Sequence, residues 1–159
     1  MGGIHEPQAL YFNDVKVGDV WFSPGRTITE ADIVFFASLT GDFNPLHVDH
    51  EYARQTPFGR PIAHGLLGLS YMAGLGSHSP RMRTVAFVRI VEWEFLKPIF
   101  PGDTIRIRTE VLSIEPRSRG RRALVRWQRQ LLNQRDEVVQ AGILETLVEG
   151  RPPEAEPRA

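Results

Sequence analysis

At 159 residues the chain has room for one domain with a substantial core, but not for two. Its 42% apolar and 24% charged residues are ordinary for a soluble globular protein, and 19 basic against 19 acidic residues leave no net field to attract nucleic acid. The absence of cysteine excludes a disulfide, a thiolate nucleophile and a thiolate metal site, so any chemistry falls to His, Asp, Glu, Ser, Tyr or Lys.

The first residues, Met1-Gly2-Gly3-Ile4-His5-Glu6, carry neither a basic region nor an apolar core, and no apolar run is long enough to span a bilayer. The expectation is a cytoplasmic protein with no membrane segment, in which residues 1–10 form a flexible N-terminus. Val17-Gly18-Asp19 is a turn signal ahead of a short strand, Val20-Trp21-Phe22. Thr29 followed by Asp32 predicts a capping box, and Ile33, Phe36, Ala37 and Thr40 share one face of the helix it opens. Gly41 suits a left-handed helix end. Pro45 then enforces a bend, with Asn44 before it biased away from helix. Asp49 is placed to cap a short helix through Glu51, Tyr52, Ala53 and Arg54, and residues 55–61 are loop.

Residues 65–76 form a helix that is apolar nearly all round, as expected of a buried central element. The second half reads as sheet: strands over 85–95, 104–112, 123–132 and 138–148. In the second of these Ile105, Ile107, Thr109 and Val111 alternate with Arg106, Arg108 and Glu110. Asn133-Gln134-Arg135-Asp136 is a hairpin turn, and the Pro/Glu/Arg-rich tail over 150–159 is expected to be disordered. The pattern predicts an α+β domain over 11–149, a long antiparallel sheet wrapped around the 65–76 helix. A second copy of the chain would cover the sheet's outer face and protect its edge, so a homodimer is expected.

Chemistry concentrates in Gly41-Asp42-Phe43-Asn44-Pro45-Leu46-His47-Val48-Asp49-His50. A carboxylate at Asp42 and an imidazole at His47, turned to one point by the bend, can activate a water and supply a proton. Taken alone, the two would more often be a helix-end turn residue and a satisfied polar group, but the surrounding Gly-Asp-x-Asn-Pro-x-His-x-Asp context reverses that preference. His47, Asp49 and His50 also make a metal set, which is disfavoured because the histidines do not share a helix face and Asp49 is better used as a cap. Ala63-His64-Gly65 opens the buried helix, whose unpaired N–H groups can stabilise an oxyanion that glycine allows to approach. Equally, Gly65 could serve tight packing and His64 a cap or supporting donor. His5 and His78 read as bystanders, and Arg117-Ser118-Arg119-Gly120-Arg121-Arg122 as a solvated turn with a lesser claim on substrate phosphates. Tyr71, Met72, Phe87 and Trp93 belong to a pocket or, more in keeping with their spacing, to the core.

Asp42-Phe43-Asn44-Pro45-Leu46-His47-Val48-Asp49, with Tyr52 to Phe58 and Ile62-Ala63-His64-Gly65, resembles the signature of the MaoC-like dehydratases, the R-specific enoyl-CoA hydratases. Lys97 to Asp103 is similar to that family as well, and the likeness runs over roughly residues 11–148. The resemblance implies a single hot-dog fold, usually homodimeric, and addition of water to a trans-2-enoyl thioester of CoA or an acyl carrier, or the reverse, without metal or other cofactor. It implies that Asp42 and His47 hold the water and move protons, that Gly65 N–H binds the thioester carbonyl, and that Asn44 braces the loop. A thioesterase and a non-catalytic acyl-binding subunit are the competing functions on this fold.

Overall fold

The Thr29 capping box forms as its sequence predicts: the Thr29 hydroxyl accepts from Asp32 N–H, and Asp32 Oδ2 accepts from Thr29 N–H at 2.8 Å. These groups satisfy N–H donors that a helix start leaves unpaired. The computed structural model describes residues 8–152. Its helices are α1 (Glu30–Thr40), α2 (Pro45–Val48), α3 (His50–Arg54) and α4 (Gly65–Gly76). The strands are β1 (Val20–Phe22), β2 (Arg26–Thr27), β3 (Thr84–Phe95), β4 (Thr104–Arg117), β5 (Arg122–Leu132) and β6 (Val138–Glu149). All ladder pairings are antiparallel, in the order β1-β4-β5-β6-β3, with β2 pairing β4 beyond β1. This is a hot-dog fold, an α+β domain whose sheet curls along α4.

The predicted alternation in β4 is what binds sheet to helix. Ile105, Ile107, Thr109 and Val111 are fully buried, while Arg106, Arg108 and Glu110 are half-exposed. Each isoleucine so buried contributes about 1.5–3 kcal/mol of transfer free energy. Trp127 closes the centre of the core and donates its indole N–H to Thr146 Oγ1 at 2.9 Å.

Three sequence expectations change in detail. β4 runs five residues past 112, to Arg117, because β5 continues to pair it as far as Arg122. The bend at Pro45 is a one-turn helix. α4 is buried only on its sheet side, through Leu67, Gly68, Met72 and Gly76, while Leu66 is 58% exposed. The sheet covers one face of α4, and on the other Leu66, Ser70, Ala73 and Gly74 are exposed among the described residues. Residues 1–7 and 153–159, most of the two segments expected to be irregular, lie outside the described residues, and His5 with them. Leu10 bridges Met82, and Gly150 N–H donates to Arg121 O at 2.8 Å.

Candidate active site

Gly41 ends α1 with φ at 78°, a left-handed conformation that glycine adopts without strain, and turns the chain into Asp42. Asn44 caps α2, its Oδ1 accepting from Leu46 N–H at 3.0 Å, and Pro45 occupies the first helical position. Asn44 N–H in turn donates to Asp42 Oδ1 at 3.3 Å. Asn44 therefore braces the loop. The turn of α2 carries His47 inward, where Nδ1 lies 2.8 Å from Ile62 O. A carbonyl only accepts, so Nδ1 carries the proton and Nε2 keeps its lone pair.

His64, the residue before α4, is 3% exposed and makes no cap bond to its own helix. Instead its Nε2–H donates to the Asp42 main-chain carbonyl at 2.9 Å, with Asp42 Oδ2 4.0 Å away. The His47 and His64 rings stack with centroids 3.8 Å apart and an interplanar angle of 29°. Phe36 also packs against His64, tilted, with ring centroids 5.1 Å apart. One ring nitrogen of each histidine and a carboxylate oxygen of Asp42 all lie within 4.8 Å of one another. Across such a gap one water, about 2.8 Å from each group, can be held by the carboxylate and the imidazole together.

The same three residues are a geometric candidate for a metal. His64 Nε2, the nitrogen facing Asp42, has its proton committed to a carbonyl, so it offers no lone pair there. The cluster reads as a hydrogen-bonded acid/base group. The other set raised from sequence is dispersed: Asp49 Oδ1 caps α3 through Glu51 N–H and Tyr52 N–H, and His50 faces Glu30 at 3.4 Å.

At the mouth of α4, Leu67 N–H already bonds to His64 O, while Gly65 N–H has no protein acceptor among the described residues. A Cβ at position 65 would lie 3.0 Å from the Phe95 ring, so glycine keeps this approach open. Gly65 lines a cleft of about 310 Å³ with Phe58, Ile62, Phe95, Ile99 and Gln140. Asp42 and His47 are not among the residues that line this cleft.

Sequence reasoning missed Phe95 and Gln140, since a lone aromatic at a strand end and a glutamine within a strand carry no pattern. Of the four pocket-or-core residues, Met72 is core, Tyr71 and Trp93 pack half-buried against it, and Phe87 is 48% exposed. The arginine turn lies at the Arg122 end of β5, whereas Gln140 pairs with Leu131 near the other end. Nine residues of strand, about 30 Å, separate them.

The sequence of residues 16–127 matches the model of the MaoC like domain. The chain belongs to that family. This MaoC-like chain is 36% identical over 119 residues to the 3-hydroxybutyryl-CoA dehydratase of Methylorubrum extorquens, covering 72% of this chain and 71% of that protein. It is also 36% identical over 107 residues to the (R)-specific enoyl-CoA hydratase of Rhodospirillum rubrum, covering 67% and 72%. Against the protein named Protein MaoC of Klebsiella aerogenes, 38% identical over 102 residues, the match spans only 30% of the longer chain. The crystal structure of the MaoC-like dehydratase from Rhodospirillum rubrum superposes with a TM-score of 0.76 at 33% identity, covering 91% of this chain and 99% of that one. Among the described residues no helix is long and apolar enough to cross a membrane.

Proposed function

We propose that the protein is an R-specific hydratase/dehydratase, adding water across a trans-2-enoyl thioester of CoA or an acyl carrier to give the 3R-hydroxyacyl thioester, or running in reverse. The observation that carries this reading is the grouping of Asp42, His47 and His64 within 4.8 Å at the start of the helix whose Gly65 N–H has no protein acceptor among the described residues. Relatives named as an (R)-specific enoyl-CoA hydratase and a 3-hydroxybutyryl-CoA dehydratase support the substrate class and the stereochemistry.

In this mechanism the thioester carbonyl accepts from Gly65 N–H, and the double bond extends toward Asp42 and His47. The water oxygen bonds the β-carbon while the π electrons move toward the carbonyl, and the developing oxyanion meets the helix-start donor. The acid/base pair takes a proton from the water and delivers one to the α-carbon. Water supplies both the hydroxyl and the hydrogen, so the reaction needs no oxidant or reductant. Asn44 and His64 hold the loop that carries Asp42.

The functional unit is a homodimer. Among the described residues β3 pairs only with β6, leaving its other edge open, and Phe87, Val88, Ile90 and Val91 on it are exposed. Purified protein with crotonyl-CoA should lose the enoyl absorbance without releasing free thiol. Thiol release would instead mark a thioesterase, and an unchanged spectrum across acyl lengths would mark an acyl-binding subunit.

A further inference from the structure

The carbonyl donor assigned above sits where a helix is least rigid. Helix ends fray, and glycine has the greatest backbone freedom of any residue. A donor built from Gly65 therefore needs an anchor from outside α4, and the sheet supplies one. Gln140 of β6, 2% exposed, donates from Nε2 to Gly65 O at 3.0 Å. Its Oε1 accepts from Trp93 Nε1 of β3 at 3.1 Å. An indole N–H only donates, so it dictates which end of the amide faces Trp93 and which faces Gly65. The amide has no second orientation that satisfies both partners.

The surroundings are shaped to this relay. A Cβ at Gly68, one turn along α4, would lie 2.3 Å from Gln140 Nε2, so the glycine is the notch in which the side chain rests. A Cβ at Gly142, opposite Trp93 in the β3–β6 ladder, would lie 2.6 Å from Trp93 Cε3. Fixing Gly65 O fixes the peptide plane it shares with Leu66 N–H and so restricts the backbone rotation of Gly65, through which the adjoining Gly65 N–H is aimed.

We propose that Gln140 is a positioning residue that holds Gly65 N–H in line for the acyl carbonyl, with Trp93 as its orienting partner. This rests on the hydratase reading of the site. Misalignment of a transition-state donor by a fraction of an ångström acts on the chemical step rather than on substrate capture.

The test pairs kinetics on crotonyl-CoA with the infrared band of the carbon-13-labelled carbonyl of bound butyryl-CoA, a saturated thioester that cannot be hydrated. In the parent, the bound carbonyl should absorb at lower frequency than the free one, because Gly65 N–H polarises it. Gln140→Met keeps the bulk and removes both hydrogen bonds. It should lower kcat about 10- to 100-fold with KM little changed, and should move the bound carbonyl band back toward its free position. Trp93→Phe removes only the indole donor and should shift both readouts the same way by less, a fallback if Gln140→Met folds poorly. An active parent whose variants keep both kcat per folded enzyme and the carbonyl band, losing only melting temperature, overturns the positioning role alone. A parent that leaves crotonyl-CoA unchanged overturns the hydratase reading, and this inference with it.

Discussion

In the proposed mechanism, two imidazoles stacked at 3.8 Å take different parts through the hydrogen bonds that each already makes. His47 gives its Nδ1 proton to Ile62 O and so presents a basic Nε2. His64 gives its Nε2 proton to the Asp42 carbonyl and so fixes the backbone that carries the carboxylate. The Asp42 side chain is itself 54% exposed, and neither it nor His47 belongs to the buried core. On the proposed mechanism, replacing them therefore removes chemistry without stranding a buried group. Asp42→Asn and His47→Ala should each lower kcat on crotonyl-CoA by about 10²- to 10⁴-fold, the range for a lost general acid or base. Circular dichroism and melting temperature should stay near parent values. Near-full turnover in either variant would remove that residue from proton transfer.

At the scale of elements, α4 is pinned to the sheet at both ends. Arg129 of β5 is buried beneath the last turn, where its guanidinium donates to Gly76 O at 3.1 Å and to Met72 O at 3.5 Å. Burial pulls its pKa down to about 10, so it remains a cation at neutral pH, suited to the negative end of a helix. Arg129→Met matches the volume but removes both bonds, leaving Gly76 O only the longer one from Ser79 N–H at 3.4 Å, a loss of about 1–3 kcal/mol. Its melting temperature should fall by several degrees, and an unchanged or higher value would show that relief of the buried charge outweighs the lost bonds. The β5–β6 turn carries the titration to watch. Glu137 accepts from Asn133, Lys97 and Arg135, and these bonds lower its pKa from 4.5 to about 2. A carboxyl whose folded pKa is depressed contributes stability fully above its unfolded value and loses it as pH falls through the folded one. Glu137→Gln should therefore melt below the parent at pH 6, with the gap closing between about pH 4.5 and pH 2. A gap that does not depend on pH would show that the carboxylate is not its source.

Across the whole molecule, the exposed apolar surface collects on β3 and on the open side of α1 and α4, where Phe35, Leu39 and Leu66 are 71%, 70% and 58% exposed. A lone chain with that much apolar edge would invite nonspecific pairing. In the proposed homodimer, association of two β3 edges would cover the part of that surface on β3 and extend the sheet through the assembly. Ile90→Lys, placing a charge on that strand, should convert a dimer into a monomer in analytical ultracentrifugation. A parent that sediments as a monomer at micromolar concentration would refute the pairing.

The sequence by itself determined what is local. Thr29 with Asp32, Gly41, Asp49 and the alternation in β4 each act on neighbours a few residues away, so their pattern in the chain is their structure. It also carried the family likeness, because Asp42 to Asp49 and Ile62 to Gly65 are contiguous. Tertiary structure alone decided how those pieces meet. Whether His64 caps its own helix or reaches 22 residues back to Asp42 depends on the path between them, and no periodicity encodes that path. The same holds for Gln140 reaching Gly65 across 75 residues, and for β3 lying at the edge of the sheet rather than in its middle. Long-range hydrogen bonds and strand order arise from the closure of the whole chain, which is why the chemical groups were legible in the sequence and their alignment was not.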